Sequence, residues 1–346
     1  MKILAFGDIH FHHTHRFSTI TPQGYTIREL EHLQCADVII DLCKTKQIDK
    51  IVFLGDLFGP VGDNISCQVL TAVTEFIKKI SDVCPLDMLV GNHDISGHLN
   101  NQYSHKLMPF KYWNNVTVYD QPTEVDDFIY LPYCINDQFA EDFLNNIKNK
   151  DHKIIFSHAE LKGITFASGL QSEKGVSIDL LKKFKMTLQG HYHCGGSVAK
   201  NIQVTGSTQR LSFKDQGIAR NNIIIYDTET NKVSRESFNC PDWLSFTDDN
   251  INDLFKLSPD NYVKVELSTD LLYTDDLKEK LKTFKHSDFH VDVMRLIFNK
   301  KIDETEIKLK DDIDVIKYFV EKSENTEENK KELIKVGENL IERSKA

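Results

Sequence analysis

Five short clusters carry most of the reactive side chains in the first two-thirds of the chain. They are "GDIH" (7–10), "GDLF" (55–58), "GNHD" (91–94), "HAE" (158–160) and "GHYH" (190–193). Together they supply Asp8, His10, Asp56, Asn92, His93, His158, His191 and His193. Imidazole nitrogen combined with carboxylate and amide oxygen suits borderline divalent ions such as Mn²⁺, Fe²⁺ or Zn²⁺ better than an all-oxygen Mg²⁺ site. A carboxylate bridging two ions about 3.5–4 Å apart clamps the attacking and leaving oxygens of a phosphoryl displacement. Asp8 and His10 are two apart, so they share a face of a regular strand, and at a strand end both can reach one ion. His191 and His193 have the same spacing and can serve one ion each if their loop splays them.

Each of these clusters follows an apolar run. "KILAF" (2–6), "KIVFL" (50–54), "LDMLV" (86–90), "KIIFS" (153–157) and "MTLQ" (186–189), together with "VTVY" (116–119), read as buried strands. Helical periodicity lies between several of them: around Leu30 to Leu42, at Val69, Val73, Phe76, Ile77 and Ile80, and at Phe139, Phe143, Leu144 and Ile147. This alternation predicts an α/β layered fold. In open α/β sheets ligands bind beyond the carboxyl ends of the strands, so five such ends would converge the eight candidate residues. Gly7, Gly55, Gly91 and Gly190 suit sharp exits there. "NNIIIYDTETNKVSRESF" (221–238) reads as a hairpin turning at "TETN". Past Pro241 the pattern changes to a small α+β unit: strand "YVKVEL", helix "DDLKEKLKTF" and strand "HVDVMRLIF". From about Asp303 the chain is charge-dense, with two amphipathic segments carrying Ile313, Ile316, Phe319 and Val320, then Leu333, Val336, Leu340 and Ile341.

No stretch approaches the roughly 20 apolar residues of a membrane span. "MKILAFGDIH" reads as a buried strand, not a signal peptide. The seven cysteines are never spaced as CxxC, which argues for reduced thiols in a cytosol and against a structural zinc. A net charge of −10 argues mildly against coating nucleic acid by bulk electrostatics, but it leaves room for a local basic groove.

The order DxH, GD, GNHD, H and GHxH resembles the calcineurin-like metallophosphoesterases, with all five blocks in register across residues 8 to 193. The second block continues as "GDLFGPVG" and lacks the Asp-Arg of the protein serine/threonine phosphatases. "GDIH", "GDLF", an α+β cap and an amphipathic tail look like the SbcD/Mre nuclease family, in a form as compact as the recombination-endonuclease subunits of phages. The resemblance implies a four-layer metallophosphoesterase fold, a β-sandwich flanked by helices, with a small α+β capping domain and a helical C-terminal tail. The implied domains are 1–240 (nuclease), 241–302 (DNA-binding cap) and 303–346 (a tail docking on an ATPase).

The resemblance further implies one ion held by Asp8, His10, Asp56 and His193, and another held by Asp56, Asn92, His158 and His191. His93 would sit over the scissile phosphate, outside the metal shell, and Asp94 would orient His93 or cap the following segment. The implied activity is a Mn²⁺-dependent 3′→5′ exonuclease and endonuclease on DNA, in recombination and repair. Mg²⁺, Fe²⁺ or Zn²⁺ are the alternative ions. The implied partners are DNA, a second copy of the chain and an SbcC/Rad-type coiled-coil ATPase, in the cytoplasm (the host's, if the gene belongs to a phage). Two rival readings remain open: a small-molecule or cyclic-nucleotide phosphodiesterase, and a non-catalytic DNA-end adaptor.

Two positions depart from the family pattern. Phe11-His12 replaces the frequent Leu-Gly, and Gly59 stands where some cellular members have a histidine. His10 is the expected ligand of the opening cluster, whereas His12, His13 and His15 read as solvated loop residues, with phosphate contact by His12 or His13 as the alternative. Trp113 and Trp243 read as packing aromatics and Cys194 as a small packed thiol. Lys200, Arg210, Lys214 and Arg220 form a loose basic stretch, either solvated or touching a DNA backbone.

Overall fold

Apolar runs of four or five residues are too short for stable helices, and they become strands wherever both faces can be covered. In the computed structural model the chain runs β1 (Lys2–Phe6), α1 (Ile27–Lys46), β2 (Lys50–Phe53), α2 (Cys67–Ser81), β3 (Leu86–Leu89), β4 (Ile95–Leu99), β5 (Gln102–His105), β6 (Val116–Tyr119), β7 (Thr123–Val125) and β8 (Phe128–Leu131). It continues through α3 (Asp137–Asn146), β9 (Ile154–Ser157), β10 (Leu161–Lys162), β11 (Val176–Ser177), α4 (Ile178–Leu181), β12 (Met186–Gln189), β13 (Gly196–Ala199) and β14 (Ile202–Val204). Last come β15 (Ile223–Asp227), β16 (Lys232–Glu236), β17 (Trp243–Phe246), β18 (Tyr262–Val265) and α5 (Asp275–Lys282). The structure describes residues 1–284 except 13–19, 23, 60–63, 100–101, 165–170, 212, 214–221, 248, 259–260 and 267–274, and beyond them only positions 320, 330, 331, 334 and 335.

Two six-stranded sheets form the centre, in the orders β16-β15-β1-β2-β3-β6 and β13-β14-β12-β9-β8-β7. Strands β1, β2, β3 and β6 are mutually parallel, as are β8, β9, β12 and β14. The expected hairpin is the antiparallel pair β15-β16 at one edge of the first sheet. Because side chains alternate along a strand, each sheet has two apolar faces to bury. Ile3, Ala5, Val52 and Leu54 of the first sheet pack with Tyr130, Phe156 and Leu188 of the second. The alternate residues Leu4, Phe6, Ile51 and Phe53 face Ala36 and Ile39 of α1 and Val73 and Phe76 of α2. On the far side Ile129, Leu131 and Ile155 pack with Ala140 and Leu144 of α3 and Leu181 of α4. The result is the four-layer sandwich expected. Each fully buried Leu, Ile or Phe in it contributes about 1.5–3 kcal/mol of transfer free energy.

The helices begin where their caps allow. Oγ1 of Thr26 accepts the Glu29 N–H at 3.1 Å while the Glu29 carboxylate accepts the Thr26 N–H at 2.6 Å, a reciprocal capping box that starts α1. Ser66 caps α2 by accepting the Val69 N–H at 3.2 Å.

Two compact units divide the chain, residues 1–296 and 297–346. Within the first, the segment after Pro241 has a small core of its own: Phe246, Ile251, Leu254, Val263, Val265, Leu277, Leu281 and Phe284. The predicted strand at 262 and helix at 275 are β18 and α5, and β18 pairs in parallel with β17, which has no counterpart among the predicted strands. The third predicted strand, "HVDVMRLIF", and both amphipathic segments of the tail fall outside the described residues, apart from isolated positions. Among the described residues, no helix is long and apolar enough to cross a membrane.

Candidate metal centre

The five clusters occupy the loops just past β1, β2, β3, β9 and β12, all at one edge of the sandwich. Strand alternation does not orient Asp8 and His10, as the spacing suggests, because β1 has already ended at Phe6. The backbone takes left-handed turns instead, with φ of 54° at Asp8, 57° at His10, 59° at Asp56 and 70° at His191. Non-glycine residues visit this region at a cost on the order of 1 kcal/mol each, and such strain concentrates at functional sites. Main-chain bonds between the first two loops hold the turns: Asp8 N to Gly55 O at 2.9 Å, His10 N to Asp56 O at 3.1 Å and Phe11 N to Leu57 O at 2.8 Å.

Seven of the eight expected residues gather into three overlapping groups. Ligand atoms of Asp8, His10 and His193, of His10, Asp56 and His93, and of Asp56, His158 and His191 each lie within 4.8 Å of one another. The eighth, Asn92, joins the last group, with its Oδ1 3.2 Å from Nε2 of His158 and 3.0 Å from Nδ1 of His191. Asp56 stands in the middle. Its Oδ2 is 3.3 Å from Nε2 of His158 and 3.8 Å from Nε2 of His10, while its Oδ1 accepts the His93 N–H at 2.9 Å.

These atoms fit a divalent cation. Oδ1 of Asp8 is buried with no hydrogen-bond partner, while Oδ2 accepts the His191 N–H at 3.1 Å. An orphaned buried carboxylate oxygen needs a positive charge. Nε2 of His10 faces Nε2 of His193 at 3.2 Å. Nδ1 of His158 donates to the carbonyl of Leu54, so in the neutral ring Nε2 carries the lone pair, aimed at two oxygens that can only accept. Three acceptors converging there, Nε2 of His158 and the oxygens of Asp56 and Asn92, need a cation among them.

Without one, a proton takes that place. Burial opposes charge on His158, but the Asp56 carboxylate outweighs it and raises the imidazole to about 9. Burial likewise opposes charge on Asp56, yet His158 holds its carboxyl below the ordinary range. Burial lowers His10 to about 3 and His191 to about 4, keeping both rings neutral and able to ligate, and it pushes Asp8 well above the ordinary carboxylate value.

Asp94 is a residue whose part the sequence leaves undecided. Its carboxylate serves backbone N–H groups of two loops. Its Oδ2 accepts the N–H groups of Asp56 and Gly91, both at 2.9 Å, and its Oδ1 those of Leu57 and Phe58 at 2.9 and 3.0 Å. One carboxylate thereby shapes the loop that presents Asp56. Gly91 completes the cradle, since a Cβ there would lie 2.2 Å from Oδ1 of Asp56 and 2.3 Å from its nitrogen.

The bystanders fall as follows. His12 is half-buried and donates from Nδ1 to the His10 carbonyl at 2.7 Å; its ring takes up the space a side chain at Gly59 would need. His13 and His15 lie outside the described residues, as do Lys214 and Arg220. Trp113 packs edge-on to Phe110 and Trp243 stacks on Tyr262, as expected of packing aromatics. Arg210 pairs with Asp242 at 3.3 Å, and Lys200 is exposed. Cys194 lies in the loop between β12 and β13 and is exposed, not the packed thiol expected.

Comparison with known proteins identifies the family through its sequence profile. The calcineurin-like phosphoesterase family profile matches residues 1–195. Exonuclease subunit 1 of Enterobacteria phage T4 is 30% identical over 244 residues, which cover 67% of this chain and 66% of that protein, so the match spans just under two-thirds of that relative. A putative phosphoesterase of Invertebrate iridescent virus 6 is 28% identical over 233 residues, covering 63% of this chain and 74% of that one. A solved archaeal phosphodiesterase aligns with 68% of this chain and 99% of its own at 14% identity, with a TM-score of 0.34. With the profile covering every one of the five clusters, the chain belongs to the calcineurin-like phosphoesterases, a family that binds divalent metal ions.

Proposed function

We propose that the chain is a DNA nuclease subunit that hydrolyses phosphodiesters with two divalent ions, Mn²⁺ in first place. One observation carries this reading: Oδ2 of Asp56 lies near the nitrogens of two histidines assigned to different ions, His10 at 3.8 Å and His158 at 3.3 Å, as expected of a bridging ligand. Asp8, His10, Asp56 and His193 would hold one ion, and Asp56, Asn92, His158 and His191 the other. When bound, the ions supply Lewis-acid charge to the phosphate and activate the attacking water. Asp94 fixes the loop beneath the bridging carboxylate, and Leu54 fixes the tautomer of His158. His93, edge-on to His10 with ring centroids 5.0 Å apart, would hydrogen-bond the departing oxygen.

DNA is the proposed substrate because the T4 relative is named as an exonuclease subunit, and because a small phosphodiester gives no use to the segment after Pro241. The proposal extends to 3′→5′ exonuclease and endonuclease action in DNA end processing, recombination and repair. It also extends to a homodimer, to a cytoplasmic location, and to docking of residues 303–346 on an SbcC/Rad-type ATPase. The test is to incubate the full chain with Mn²⁺ and, separately, linear duplex DNA, circular single-stranded DNA and cyclic nucleotides. Degradation of DNA supports the reading. Turnover of cyclic nucleotides with DNA intact would favour the small-molecule phosphodiesterase, and DNA binding without any hydrolysis would favour the adaptor. Truncation after Lys300 should leave basal DNA cleavage intact and remove only stimulation by the ATPase.

A further inference from the structure

We propose that Lys106 is a positioning residue for His93, one that sets the direction of its ring toward the reacting phosphodiester; this rests on the role given to His93 above. His93 sits in a three-residue 3₁₀ turn, Asn92–Asp94, whose own closing bond is Asp94 N to Gly91 O at 3.2 Å. So short a turn has little rigidity of its own. Its peptide groups are instead fixed from outside. The His93 N–H donates to Oδ1 of Asp56 at 2.9 Å, and the His93 carbonyl accepts from the Lys106 ammonium, also at 2.9 Å. The Lys106 N–H donates in turn to the Asp94 carbonyl at 2.8 Å. One residue therefore grips two successive carbonyls of the turn, and one of the two bonds is charge-assisted.

The fold is arranged to deliver this lysine. After Asp94 the chain leaves along β4 and returns along β5, with Ile95 opposite His105, so that residue 106 comes back beside the turn. The return is anchored by buried His105, 3.1 Å from the Asp120 carboxylate just past β6. The Lys106 ammonium lies 5.9 Å from the ring centre of Phe58, a residue of the loop that carries Asp56. Lys106 thus ties the third cluster to the second on the side where His93 stands.

The experiment uses the full chain with Lys106→Met and Lys106→Arg, each in the wild-type and the His93→Gln background. Expected for Lys106→Met is unchanged metal content, kcat down about tenfold as orientation is lost, and KM within about twofold. Lys106→Arg should restore most of kcat. In the His93→Gln background Lys106→Met should cost nothing further, because both changes remove one function. The His93 imidazole resonances in the Mg²⁺ form should shift in Lys106→Met and return in Lys106→Arg. Equal losses in both backgrounds, an effect on KM alone, or unmoved His93 resonances would overturn the proposal. If the wild-type chain hydrolyses no phosphodiester, the nuclease reading fails, while the imidazole resonances still decide the position of His93.

Discussion

Oδ2 of Asp56 and Nε2 of His158 lie 3.3 Å apart in a buried ion pair that occupies the place where a metal ion would be held. His158, raised from an ordinary 6.5 to about 9, contributes stability that is fully present below about pH 6.5 and lost as pH rises through 9. Asp56, with its carboxyl depressed, contributes stability present above its ordinary 3.8 and lost as pH falls through its lower folded value. The metal-free protein should therefore have a lower urea midpoint at pH 9.5 than at pH 6.5, and His158→Asn should flatten that difference. Metal must displace the His158 proton, so apparent affinity should rise about tenfold per pH unit between 6.5 and 9. Calorimetry in buffers of different ionisation enthalpy would read the released proton.

Asp94→Asn should break the floor of the centre. Only one oxygen remains to serve four buried N–H groups, and the new NH₂ faces donors. A loss of about 2–4 kcal/mol in urea unfolding is expected, together with reduced metal content by elemental analysis.

Gly91→Ala tests the cradle with a single methyl group. Its Cβ would overlap Asp56, so metal binding and hydrolysis should both be lost. Gly196→Ala, where nothing lies within 4 Å, should leave metal content and activity as they are.

His93→Gln should separate binding from turnover. Both ions should remain bound and DNA affinity should change little, while kcat falls roughly 10²–10⁴-fold. Loss of an ion in this variant would place His93 among the metal ligands, a role its nearness to His10 and Asp56 makes the natural alternative.

The segment after Pro241 is pinned to α1 through Arg28. Its guanidinium lies 3.0 Å from Glu31 and 5.2 and 5.5 Å from the ring centres of Trp243 and Tyr262, and the Tyr262 hydroxyl donates to Glu31 at 2.9 Å. Arg28→Ala should destabilise the chain by about 3 kcal/mol, since it strips the cation from a buried carboxylate. Limited proteolysis should then cut near Pro241 faster than in the wild type.

What the sequence reveals here depends on how local each signal is. The strands ending in "GDIH", "GDLF", "GNHD" and "GHYH" are legible because an apolar run meets glycine and ligand types at one point. β8, β13 and β14 pass unread, because strands of three or four residues such as "IQV" carry too little periodicity. The left-handed turns at Asp8, His10, Asp56 and His191 leave no trace in residue type, since they are imposed by bonding between loops distant in sequence. Asp94 and Lys106 act on backbone groups, which look alike in every sequence. An aspartate closing "GNHD" hints at N–H capping, but which N–H groups it reaches only the tertiary structure decides.

Mn²⁺ stoichiometry read beside cleavage of linear duplex DNA tests most directly whether a pair of ions bridged by Asp56 cleaves DNA. Two Mn²⁺ per wild-type chain are expected, with exchange coupling in the electron paramagnetic resonance spectrum and DNA degradation that appears only as the second ion binds. Asp56→Asn should abolish both coupling and cleavage. A single uncoupled ion that supports full cleavage, or coupled ions in Asp56→Asn, would contradict the bridged pair.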